Sequence, residues 1–233
     1  KVRQLAEKLV RGEFGVAFCG HFSAGKSRMI NRLLGAMLLP SSPIPTSANL
    51  VYVRHGEEYA EARFRDGRPR RYLAPYDYDL VKSFCRDGTA IESIEISTAA
   101  ASLPAGVVLM DTPGIDSTDA AHRLATEEAI HLADLIFYVM DYNHVQSEES
   151  FLFTKSLTEA GKRVALVINQ IDKHREEELS FAAFAAGVKD AFAAWGVAPE
   201  AVFFTSMKDE AHEHNDFKTM QAFLRDALEN RAA

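Results

Sequence analysis

The chain has 233 residues, 47% of them apolar, and a formal charge of −7; this is enough for one large domain with a full core and too little for two. A negative field repels phosphates, so no nucleic-acid partner is expected, two cysteines exclude a disulfide scaffold, and no apolar run reaches the roughly 18 residues that span a bilayer. No signal-peptide pattern is present, which makes a cytosolic location the default, and the first residue, Lys1 rather than Met, leads us to expect an excerpt of a longer protein.

Taken in chain order, Val2, Leu5, Leu9 and Val10 recur on one helical face that ends near Gly12 and needs a partner surface. The apolar run Phe14 to Cys19 predicts a buried strand. Met29, Ile30, Leu33, Leu34 and Met37 fall at helical spacing, and PSSPIPTSANL then carries Pro40, Pro43 and Pro45, too broken for a helix or a central strand. Asn49 to Arg54 and Tyr59 to Phe64 alternate like strands, with turns at His55 to Glu57 and Asp66-Gly67; a helix follows from Pro75 to Arg86 and a strand from Ile91 to Ser97. Continuous apolar runs at Val107 to Met110, Leu135 to Met140, Val164 to Ile168 and Ala201 to Phe204 predict buried strands. Helices are predicted over 122–132, 148–160, 177–194 and 216–229. Strands alternating with helices give an α/β fold: a mostly parallel central sheet, helices on both faces, and ligand loops at the carboxyl ends of the strands.

Four of those loops carry chemistry. GHFSAGKS, Gly20 to Ser27, matches the pattern G-x-x-x-x-G-K-[ST], in which backbone N–H groups wrap phosphates, the lysine (Lys26) reaches the β/γ oxygens and the hydroxyl (Ser27) takes Mg²⁺; the helix behind it presents its positive end. Gly20, His21, Phe22, Ser23, Ala24, Gly25, Lys26 and Ser27 are thus the predicted phosphate cradle. DTPG, Asp111 to Gly114, places a carboxylate for the metal shell, through water, and a glycine N–H for a γ-phosphate. NQID, Asn169 to Asp172, offers a carboxylate (Asp172) that can accept two donors from a guanine edge, with Asn169 tying this loop to the phosphate loop. TSM, Thr205 to Met207, places Ser206 and Met207 beside the base.

These residues resemble the guanine-nucleotide-binding domain family over nearly the whole chain. From Lys26 to Asp111 is 85 residues, room for an enlarged insertion that a minimal small GTPase lacks. Together with SAGKS and the Pro-rich segment, it makes the chain similar to the GTPase domains of bacterial dynamin-like proteins, which remodel membranes. That resemblance implies one GTPase domain over 1–233, with helices at about 1–12 and 216–230 forming a neck to a missing stalk, GTP hydrolysis with Mg²⁺, and a monovalent cation (K⁺ or Na⁺) near Ser23. It implies a homodimer across the nucleotide face, and a peripheral place at the inner face of the cell membrane through regions outside this chain. Thr46 is the switch threonine it implies, with Ser41, Ser42 and Ser47 as competitors; Ser23, Lys26, Thr46 and Gly114 form the catalytic set and Ser27, Thr46 and Asp111 the metal set. Three positions depart from the pattern: Phe22 replaces a glutamine, Gln170 a lysine, and Ile115 the water-orienting glutamine of small GTPases.

Other residues have plainer readings. Cys19 and Cys85 are core thiols, His21 is exposed, His212 and His214 sit on a solvated turn, Trp195 packs, Arg63, Arg65, Arg68, Arg70 and Arg71 line a solvated strand face, and Glu176 to Glu178 open a helix. Two rival functions remain: a GTPase serving ribosomes or RNA, and a nucleotide-gated scaffold that does not hydrolyse.

Overall fold

The computed structural model describes residues 2–40, 49–87, 90–99, 102–116 and 120–230. Nine strands form one sheet in the order β4-β3-β5-β2-β6-β1-β7-β8-β9. The half that carries the predicted loops, β6 (Val107–Asp111), β1 (Phe14–Gly20), β7 (Leu135–Asp141), β8 (Val164–Asn169) and β9 (Ala201–Thr205), is wholly parallel. Every residue of β1, β6, β7 and β8 is buried. That is why these strands read as unbroken apolar runs: helices cover both of their faces.

On one face, α2 (Lys26–Leu34) and α7 (Phe217–Glu229) press Met29, Ile30, Leu34, Met220 and Leu224 against Val16, Phe18, Phe137 and Val167. On the other, α4 (Ala120–Leu132), α5 (Glu148–Glu159) and α6 (Phe181–Ala194) bring Ala129, Phe151 and Phe192 onto Ala17, Tyr138 and Leu166. Trp195 joins this side, stacked on Phe151 at 5.2 Å. Both cysteines are buried, and neither is in a disulfide.

The segment between the phosphate loop and DTPG forms the other half of the sheet. There β2 (Leu50–His55) runs antiparallel to β6 and parallel to β5 (Ile91–Thr98), while β3 (Tyr59–Phe64) is antiparallel to β5. One face packs Val53, Ala62 and Ile94 under Val81 and Cys85 of α3 (Tyr78–Arg86). The other is polar, which explains the alternation. A further strand, β4 (Pro69–Leu73), lies outside the sequence expectation: it is an exposed edge headed by a proline, so it carries no apolar period. Its arginines, like Arg63, Arg65 and Arg68, are exposed, with Arg70 over Phe64 and Arg71 over Tyr59.

Two expectations are corrected. The helix expected from 177 starts at Phe181: Ser180 caps it, and Glu176 reaches forward to accept from the Phe181 N–H, so the acidic run serves the helix dipole from outside. The helix expected from Pro75 starts at Tyr78, where Asp77 accepts from the N–H groups of Asp79 and Leu80. On α1 (Val2–Arg11), Leu9 and Val10 are 72% and 88% exposed, so these two do not pack on the domain; Lys8 anchors the helix to Asp134 and the Leu132 carbonyl.

The end of α2 is fixed by Asn31. Its amide donates to the Leu39 carbonyl and accepts from the Leu39 N–H, both at 2.8 Å in a buried position. Asn31→Ala would leave both backbone groups unpaired, so urea unfolding should show a loss of about 2 kcal/mol; a loss below about 0.5 kcal/mol would show that the pair does not hold the chain there.

Candidate nucleotide site

Because β1, β6, β7, β8 and β9 are parallel, the loops leaving their carboxyl ends share one edge of the sheet. The phosphate loop runs from Gly20 through a short 3-10 turn, Phe22–Ala24, into α2. Lys26 is buried, and its ammonium donates to the carbonyls of Gly20 (3.0 Å) and His21 (2.8 Å). Burial lowers its pKa, and Asp111 works in the opposite direction. A cation destabilised by desolvation gains most from a nearby anion.

Asp111 ends β6, where its Oδ2 accepts from the Ser27 hydroxyl at 2.5 Å. These are two hard oxygen donors, the chemistry that suits Mg²⁺. Thr112 secures the turn by donating its hydroxyl to the Phe18 carbonyl, and Ile115 donates its N–H to the Gly20 carbonyl, so the DTPG segment is bonded to the start of the phosphate loop. Gly114 faces Phe22 directly: a Cβ there would stand 2.8 Å from the Phe22 nitrogen. Ile115 leans on the apolar layer below.

Asn169 joins the second half of the site to the first. Its buried amide donates to the Ala24 carbonyl at 2.9 Å and accepts from the Thr205 hydroxyl at 3.2 Å. Gly25 lies at this junction in the left-handed region (φ 92°), and a Cβ on it would meet the Asn169 amide at 2.7 Å, so only glycine fits. Gln170 is itself left-handed (φ 67°) and donates its side-chain amide to the Ser23 carbonyl, a contact its sequence position does not announce. Asp172 accepts from the Ser206 hydroxyl at 2.7 Å, with Lys208 Nζ 3.8 Å from its other oxygen. Met207 is buried beneath.

Two residues of this edge were not read from the sequence. Asn215 donates to the carbonyls of Ser206 and Asp209 and accepts from the N–H groups of Ser206 and Phe217, holding the Ser206 loop in place. Asp116, just past DTPG, accepts from the Phe22 N–H at 3.0 Å. The histidines also differ from expectation. His21 is half-buried, its ring 6.2 Å from that of His144, and His214 stacks flat on Phe181 at 4.0 Å rather than standing in solvent. No cluster able to hold a metal through His, Cys, Asp or Glu occurs among the described residues. Thr46, with its competitors Ser41, Ser42 and Ser47, lies outside them.

A charged cavity of about 150 Å³ lies elsewhere, between α1 and the polar face of the insertion. Arg54 is held there by Glu13 and Glu95 and Tyr52 by Glu128, while Arg54 Nε is buried without a hydrogen-bond partner. These ion pairs brace α1 and β1 against the insertion.

Residues 16–172 match the Dynamin family, a span running from β1 to Asp172. The chain belongs to the dynamin family. It is 41% identical over 224 residues to Dynamin-like protein A of Bacillus subtilis, covering 96% of this chain and 19% of that protein. It is 23% identical over 219 residues to Dynamin-like protein 1 of Campylobacter jejuni, covering 77% of this chain and 30% of the relative. The chain thus spans less than a third of either dynamin-like protein's length. In fold it is similar to one chain of an oligomerised bacterial dynamin pair, described as a mechanism for long-range sensing and tethering of membranes (TM-score 0.69, 18% identity, 97% of this chain and 47% of that one). It is also similar to Era in complex with MgGDPNP and ribosomal RNA (TM-score 0.54, 16% identity, 91% and 56%). Both likenesses are of fold: a dynamin-type GTPase domain built on the phosphate-loop α/β sheet. No described helix is long and apolar enough to cross a membrane.

The Cys19 thiol, in the strand feeding the phosphate loop, is pushed up to about 12 by burial. Since the thiolate is the reactive form, an alkylating reagent at pH 8 should leave Cys19 unlabelled in the folded domain and label it in denaturant. Labelling within minutes under native conditions would contradict this packing.

Proposed function

We propose that this domain binds GTP with Mg²⁺ and hydrolyses it, and that nucleotide-dependent pairing of two such domains is coupled to membrane remodelling or fusion by regions outside this chain. The observation that carries the reading is the Asn169–Ala24 bond, which joins the loop that bears Asp172 to the phosphate loop. Phosphates would lie along the backbone N–H groups from His21 to Ser27 at the positive end of α2, with Lys26 compensating their charge. Mg²⁺, when bound, would neutralise charge on the β and γ oxygens; Ser27 and, through water, Asp111 are the residues that would hold it, with Thr46 as third donor. Asp172 retains lone pairs beyond the one given to Ser206, enough to accept both N–H groups of a guanine edge. Adenine presents an amine beside an acceptor there and is refused. The backbone at Ser206 and Met207 would face the base oxygen, and the Gln170 stem its ring.

Hydrolysis needs an oriented water, and this chain lacks the usual group. Neither Ile115 nor Phe22 has a polar atom on its side chain, so orientation falls to Thr46 and to charge supplied by Lys26, by a cation near Ser23, or by a second domain facing the first. Pairing across the nucleotides would complete such a site. The resemblance to dynamin-like proteins, not any feature of these residues, is what suggests the membrane and a peripheral location at its inner face. The same holds for the neck. There, α1 with its exposed Leu9 and Val10 suits a contact beyond this domain, whereas α7 buries Phe217, Met220 and Leu224 against the sheet.

Phosphate release from GTP should therefore rise per molecule as protein concentration rises, and Lys26→Ala should lower it by about a hundredfold. A turnover number independent of concentration would remove pairing from the account. Wild-type release no greater than that of Lys26→Ala would favour the scaffold that does not hydrolyse.

A further inference from the structure

We propose that Asp116 determines how the site tells a triphosphate from a diphosphate: its carboxylate, bonded to the phosphate loop through the Phe22 N–H, opposes the charge of a γ-phosphate and must leave the loop when one arrives. This rests on the GTP reading above and deepens it.

Three observations place the carboxylate. Asp116 Oδ1 accepts from the Phe22 N–H at 3.0 Å. The same oxygen lies 2.5 Å from where a Cβ on Gly114 would stand, so the side chain folds back over the DTPG glycine. Its charge reaches Lys26 as well, where it favours the ammonium together with Asp111. A single carboxylate therefore touches the phosphate loop, covers the DTPG glycine and acts on the cation that compensates phosphate charge.

A γ-phosphate directed at Lys26 and the Gly114 N–H would come against this carboxylate. Two anions brought within a few ångströms at a partly desolvated edge repel strongly, and the acceptor role of Asp116 on Phe22 is one that a phosphate oxygen can take over. A diphosphate ends one phosphate earlier and meets far less of this charge. Asp116 is exposed, so it can swing outward without unpacking the core, while Ile115, bonded to the Gly20 carbonyl, stays as the pivot. The third phosphate would thus release Asp116 from the phosphate loop, and the carboxylate lowers affinity for GTP in exchange for a signal.

The test is calorimetric titration of the wild-type domain, Asp116→Asn and Asp116→Ala with GDP and with a nonhydrolysable GTP analogue, all in Mg²⁺. Asp116→Asn keeps an acceptor for Phe22 and removes the charge; it should tighten the analogue about tenfold and GDP less than about threefold. Asp116→Ala should show the same selective gain, which separates repulsion from loss of the hydrogen bond. Unchanged affinities, an equal change for both nucleotides, or a weaker analogue would overturn the proposal while leaving the GTP reading in place. A wild-type domain that binds neither nucleotide would overturn both.

Discussion

The site depends on one buried amide. Asn169 spans the gap between the ends of β1 and β8, where two backbone loops approach closely enough that Gly25 can carry no side chain. An unpaired amide in that position would cost about 1–3 kcal/mol, so the bond both requires and enforces the spacing of the phosphate loop and the NQID loop. Thr205 extends the link to β9, and from there Ser206 and Asn215 fix the carboxylate of Asp172. A chain of side-chain hydrogen bonds thus transmits the rigidity of a parallel sheet to a ligand edge made of loops.

Electrostatics divides the same edge in two. Around Lys26 the design is cationic but strained by desolvation, with the ammonium borrowing the carbonyls of Gly20 and His21. Around DTPG it is anionic: Asp111 at the strand end and Asp116 on the Phe22 N–H. A phosphate chain bridging these regions relieves the first and offends the second. That opposition is the basis of the proposal that the domain registers how many phosphates it holds.

The parallel half of the fold was legible because its strands are buried on both faces and so appear as apolar runs ending in loops with fixed spacing. The phosphate loop, DTPG and NQID were legible for the same reason, since each motif closes such a run. What escaped depends on partners distant in sequence or on exposure. β4 is a polar edge with nothing to bury, Asp116 meets Phe22 across 94 residues, and Glu176 caps α6 from outside the helix. Gln170 stands out in sequence only as a replacement for the family's lysine, yet its left-handed backbone turns its amide onto Ser23. The two histidines of EAHEHND were read as solvated because composition cannot reveal that Phe181 lies beneath one of them.

The central claim is that Asp172, held by Ser206 on a loop stitched to the phosphate cradle, reads a guanine edge. Substituting Asp172→Asn exchanges one acceptor for a donor, and that pattern suits xanthine, whose C2 carries an oxygen in place of the guanine amine. Titration of wild type and variant with GDP and XDP measures this directly. The account predicts that wild type prefers GDP and that the variant reverses the preference, losing about a hundredfold for GDP. A variant that binds GDP as tightly as wild type would contradict it.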